Sequence, residues 1–139
     1  MRKTLFALAL PLMLLAGCSA NAATVQVRTA GAAHPAIHQA HDEIIAAREG
    51  RMTGCVEEHE TRREAEACIR DVESDFEPVL GGYEIARLAY EAWVDAAERA
   101  VRDGEGVSGA DVAAVAFATE WANLLRAMSA LGINMGGRP

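Results

Sequence analysis

Residues 61–97 read TRREAEACIRDVESDFEPVLGGYEIARLAYEAWVDAA. Within this stretch Ala65, Ile69, Val72, Phe76, Val79, Tyr83, Ala86, Tyr90, Trp93 and Ala97 recur in alternating steps of four and three. A 3-4 repeat keeps one apolar seam on a helix and suits it to pack along other helices. Thr61 followed by Glu64 has the form of a capping box, so the helix is expected to start there. The charged residues lie mostly off the seam. Glu66 with Arg70, Asp95 with Arg99 and Glu98 with Arg102 are spaced for i,i+4 pairing, worth a few tenths of a kcal/mol each. Pro78, with Gly81 and Gly82 beside it, conflicts with this pattern, because an interior proline removes a hydrogen bond and kinks or ends a helix. The seam nevertheless keeps phase from Phe76 through Val79 to Tyr83, which a loop has no reason to do. One long kinked helix is therefore expected; a break at Pro78 is the alternative and makes four helices of three.

Toward the amino terminus, Ile37, Ile44 with Ile45, Met52, and Cys55 with Val56 are separated by about two helical turns and predict a helix over 35–58, with Pro35 in its first turn. Gly50 and Gly54 weaken that helix by about 1 kcal/mol each relative to alanine and mark a possible break. Toward the carboxyl terminus, Asp103 to Gly106 reads as a turn. Ser108 with Asp111 resembles a second capping box, and Val107 is placed to staple onto Val112. Phe117, Trp121, Leu124, Met128 and Leu131 then carry another seam, and Gly132 is placed to stop it. Residues 133–139 read as a frayed end. Trp93, Trp121, Tyr83 and Tyr90 all fall on seams and are expected to pack before they bind anything.

Cys55 and Cys68 constrain how the helices turn. Along one straight helix they stand near 20 Å apart at about 1.5 Å per residue, whereas bonded cysteines need Cα atoms about 4.4–6.8 Å apart. A turn at Glu60 and Thr61, where the capping box already falls, brings them face to face across a hairpin. The expected fold is an all-α, antiparallel bundle of three helices over 35–132, stapled by Cys55–Cys68.

The first residues have the layout of an export signal. Arg2 and Lys3 precede an apolar run from Thr4 to Leu15, too short for the ~20 residues that cross a bilayer as a helix. Leu15-Ala16-Gly17-Cys18 follows, and this resembles the lipobox of bacterial lipoproteins. The resemblance covers residues 1–18. It implies removal of residues 1–17, acylation of Cys18 by diacylglycerol and a further fatty chain such as palmitate, and stable attachment to membrane lipid. Several chains hold far more firmly than one, at about 0.8 kcal/mol per buried methylene. An ordinary secretory signal cut near Ala20 or Ala23 is the alternative. Ser19, by the same resemblance, favours the outer membrane facing the periplasm. Residues 18–34, rich in Ala, Thr and Gly, read as a flexible tether that spans up to about 50 Å if extended. An exported chain meets oxidising surroundings, which also favours pairing of Cys55 with Cys68.

The formal charge of the full chain is −7, and the only lysine, with one arginine, lies in the removed segment. The mature protein is more acidic still, which argues against nucleic acid and against a basic patch on anionic lipid. His34, His38 and His41, with Asp42 alongside, form a candidate zinc or copper set in which His38 lies over His41 and Asp42 at helical spacing, with His59 a remote fourth. Against it, His34 precedes a proline and is pushed from helical geometry, and His41 borders an apolar stripe. Carboxylates crowd from Glu57 to Glu77. Glu73-Ser74 resembles the start of a lytic transglycosylase site, but Asp75-Phe76 follow where that family carries glycine, and the spacing suits a solvated helix face. No nucleophile elbow and no phosphate-cradling loop stands in the chain. The reading is a non-enzymatic, cofactor-free envelope lipoprotein that binds a partner protein. The alternatives are a periplasmic metal-binding lipoprotein that uses His34, His38 and His41, and a phage-derived lysis lipoprotein.

Overall fold

A computed structural model describes residues 19–104 and 106–135. Among these, three helices and no strand are present: α1, Ser19–Glu58; α2, Arg62–Asp103; and α3, Ser108–Ala130. The expected all-α bundle of three helices is the observed fold. α2 is central. α1 runs antiparallel along it, α3 antiparallel along it too, and α1 and α3 scarcely touch each other's backbones. Long side chains span that gap at both ends: Gln26 Nε2 donates to Asp111 Oδ1 at 2.5 Å, and Arg51 Nη2 to the Leu131 carbonyl at 2.7 Å.

The α2 seam faces both neighbours. Val72, Phe76, Val79, Tyr83, Ala86, Trp93 and Ala97 are buried, and all but Ala97 meet Ile37, Ala40 and Ile44 of α1 and Phe117, Leu124 and Met128 of α3 in one apolar core. Full burial of the valine, isoleucine, leucine, methionine and phenylalanine side chains among them is worth about 1.5–3 kcal/mol each. Phe117 stacks on Trp93 at 5.5 Å, with Trp121 at 5.9 Å and Tyr90 edge-on at 5.7 Å. Both tryptophans are thus packing residues, as their seam positions imply.

α2 is continuous through Pro78, so the four-helix alternative does not hold. Pro78 lies on the exposed face, where the carbonyl it frees can turn to water. Thr61 caps the helix as expected: its Oγ1 accepts from the Glu64 amide at 3.3 Å, and its hydroxyl donates to Glu64 Oε2 at 2.7 Å. Gly104, in the left-handed region at φ 66°, ends it. Cys55 and Cys68 are bonded across the hairpin with Cα atoms 5.6 Å apart.

Several expectations need correction. Residues 19–34 are not a tether but the first turns of α1, which runs on through Pro35 and without a break at Gly50 or Gly54. Ala23 and Ala30 are buried, and they continue backward the seven-residue step that joins Ile37 to Ile44. Small side chains let α1 lie close to α2, and that packing outweighs weak local propensity. Pro35, like Pro78, is on the solvent side. The second capping box does not form: the residue before α3 is Val107, with no side-chain cap. Asp111 receives Gln26 instead, and Val112 is exposed rather than stapled. The anticipated i,i+4 pairs on α2 are replaced by Arg62–Glu66, Arg87 with both Glu84 and Glu91, and Arg102–Asp103, since exposed pairs differ little in energy. Finally, Ile133 is not frayed. Gly132 at φ 76° ends α3 as expected, its N–H donating to Ser129 O and that of Ile133 to Met128 O. This is a Schellman motif, and it folds Ile133 into the core. The helical domain therefore spans 19–135 among the described residues rather than 35–132.

Candidate functional site

Cys18, the expected acylation site, lies outside the described residues, as does the rest of the signal segment. Its neighbour Ser19 opens α1. Among the described residues no helix is long and apolar enough to cross a membrane. The α1–α2 contacts His34–Tyr90, His41–Tyr83 and Cys55–Cys68 keep one antiparallel register. In that register Ser19 falls about level with Gly104, so the amino-terminal end of α1 and the α2–α3 turn share one end of the bundle. The disulfide and the turn at His59 share the other.

The histidines divide into two environments. His34 is helical despite Pro35, and its Nε2 stands 3.0 Å from that of His38 one turn on, the rings nearly perpendicular. The Nδ1 of His34 faces Tyr90 Oη at 3.5 Å. His41 does not join this pair. Its ring lies against Tyr83 at 5.1 Å and its Nδ1 is 3.6 Å from Asp42. His59 is at the hairpin turn, about 30 Å from His38 along α1 at 1.5 Å per residue, so folding does not deliver it. Among the described residues no group of three or more His, Cys, Asp or Glu side chains gathers in a way that could hold a metal. The anticipated His38–His41 overlap is thus replaced by an i,i+4 pair, because four residues bring side chains nearer to one line than three do.

The carboxylates from Glu57 to Glu77 are exposed, and three of them pair with arginines, Glu66 with Arg62 among them. Glu73 pairs with Arg48 at 3.3 Å and Asp75 with Arg51 at 3.9 Å. Both pairs flank the α1–α2 contact, and Arg51 also lies over the Phe76 ring at 5.4 Å. An open groove of about 720 Å³ follows the α1–α2 contact past Arg48, Arg70, Glu73, Glu77, Leu80 and Glu84. A general-acid carboxyl needs an apolar enclosure, whereas Glu73 is half-exposed beside a guanidinium. Arg87, clasped by Glu84 and Glu91, is held above its ordinary range, chiefly by its hydrogen bond to Glu84. Burial pushes the Tyr83 phenol up, with Glu84 next in effect, and burial alone pushes up Tyr90.

Two interhelical contacts escape a reading of periodicity. Gln26, inside the supposed tether, joins all three helices: it accepts from Trp93 Nε1 at 2.9 Å while donating to Asp111. A seam tryptophan needs an acceptor for its indole N–H, and that need is the available signal. Tyr90 as the brace of His34 depends on interhelical register and has no local signature. Comparison with protein-family models, with curated proteins and with solved structures found no match.

Proposed function

We propose that the chain is a bacterial envelope lipoprotein, held on the periplasmic face of the outer membrane through acylated Cys18, that acts by binding another protein rather than by catalysis. The lipobox supports the anchor. The binding role rests on two pairs of exposed apolar side chains on outward helix faces. On α2, Ile85 and Leu88 are 53% and 56% exposed; on α3, Val112 and Val115 are 72% and 68% exposed. Residues three apart share a helix face, and while single exposed aliphatics are commonplace, paired ones on a bundle whose core is already filled fit a protein contact. With α1 starting directly after the acylated residue, the anchor passes into the rigid bundle without a slack linker, and these faces stand at set heights above the bilayer.

Affinity capture of the lipidated protein from membranes tests this reading. Either Ile85→Asp with Leu88→Asp or Val112→Asp with Val115→Asp is expected to release the captured partner while leaving the helical signal intact. Recovery of the same partner by both double variants overturns the binding surfaces. Unaltered membrane partitioning and processed mass in Cys18→Ala overturns the address.

A further inference from the structure

From the geometry of α1 we propose that His34 and His38 form a two-imidazole site for a divalent first-row transition metal, copper(II) above the others. The proposal is independent of the membrane anchor. The two Nε2 atoms share a hydrogen bond at 3.0 Å from consecutive turns of one helix, and a metal takes the place of the shared proton once both rings turn their lone pairs toward it. A metal held by both at about 2.0–2.1 Å with a cis angle near 90° sets its donors about 2.9 Å apart, while a tetrahedral angle spreads them to about 3.3 Å. The observed separation lies within a few tenths of an ångström of both, so the pair can serve either geometry. Imidazole donors suit copper(II), nickel(II) and zinc(II), and copper heads the stability order for such donor sets.

The surroundings suit the role. With Nε2 on the metal, the His34 Nδ1 carries the proton and points it at Tyr90 Oη, 3.5 Å away on α2. An outer contact of this kind fixes the tautomer and ring orientation of a metal-bound histidine. Both histidines are exposed, so water can complete the coordination and the ion can enter from solvent. Asp42 stands a further turn along the helix, but its exposed carboxylate lies 3.6 Å from His41 Nδ1 and is not counted among the ligands. Helical continuity through Pro35 makes the site possible, because a chain that left the helix at His34 would separate the two rings.

The full-length protein, purified in detergent and freed of metal, is titrated with copper(II), nickel(II) and zinc(II) chlorides by calorimetry, and its copper form is examined by electron paramagnetic resonance. The expected result is a single copper per chain bound at micromolar concentration or tighter. Copper should exceed zinc by at least about tenfold, with hyperfine structure from two imidazole nitrogens. His34→Ala and His38→Ala should each weaken copper by about tenfold or more, and His41→Ala and His59→Ala should leave it unchanged. These side chains are exposed, so the circular dichroism of every variant should match the parent. Copper affinity retained in the His34→Ala, His38→Ala double variant, an equal loss in His41→Ala, zinc bound as tightly as copper, or no binding at micromolar copper overturns the site.

Discussion

The replacement of Ala30 by aspartate separates a helical amino-terminal segment from a flexible one. Ala30 is 1% exposed and packs in the core with Ile37. A carboxylate there has no room to reach water, and an uncompensated buried charge destabilises by about 3–5 kcal/mol. For a domain of this size each kcal/mol moves the midpoint by roughly 4 °C, so the melt should fall by roughly 12–20 °C. The adjacent Gly31→Asp is the control. A Cβ at Gly31 meets nothing within 4 Å, and aspartate is, if anything, a slightly better helix former than glycine, so its effect should stay within about 0.5 kcal/mol. Thermal unfolding followed by circular dichroism, with hydrogen exchange over residues 23–34, measures both. In a loose tether the two substitutions are equally silent and the amides exchange freely. An Ala30→Asp midpoint within about 1 °C of the parent refutes the packing of α1 described here.

Reduction of Cys55–Cys68, or the double variant Cys55→Ser with Cys68→Ser, should lower stability by about 3 kcal/mol for a loop of this length without loss of helix content; an unchanged urea midpoint with reductant contradicts it. Thr61→Ala should cost about 1 kcal/mol, since the Thr61 hydroxyl caps α2. Ser108→Ala should change stability by less than about 0.5 kcal/mol, because α3 has no side-chain cap at its start. Equal losses in chemical denaturation would show that both capping boxes form.

The position of the Cys55–Cys68 staple was legible because it depended on two local signals that agreed, a capping threonine and a distance limit on the disulfide. The α2 and α3 seams were legible because large apolar side chains contrast sharply with charged neighbours. The amino-terminal third of α1 was not. Its buried positions are alanines, which hardly differ in polarity from the exposed alanines and threonines around them, so their seven-residue recurrence carries little contrast. The pairing of His34 with His38 was obscured by Pro35, whose usual effect on the preceding residue is to end helical geometry.

Residue order alone determined an all-helical chain, the stapled hairpin between α1 and α2, and the glycine stop at Gly132. All of these are set within a few turns of chain by periodicity, capping chemistry or covalent reach. Only tertiary structure decided that helix extends back to Ser19 and passes intact through Pro35. It also decided that Asp111 serves Gln26 instead of capping α3, and that Tyr90 braces His34. The physical reason is that each of these outcomes is a competition between a weak local preference and packing against a helix distant in sequence. In such competitions a buried contact shared with α2 outweighs a cost of about 1 kcal/mol in local propensity.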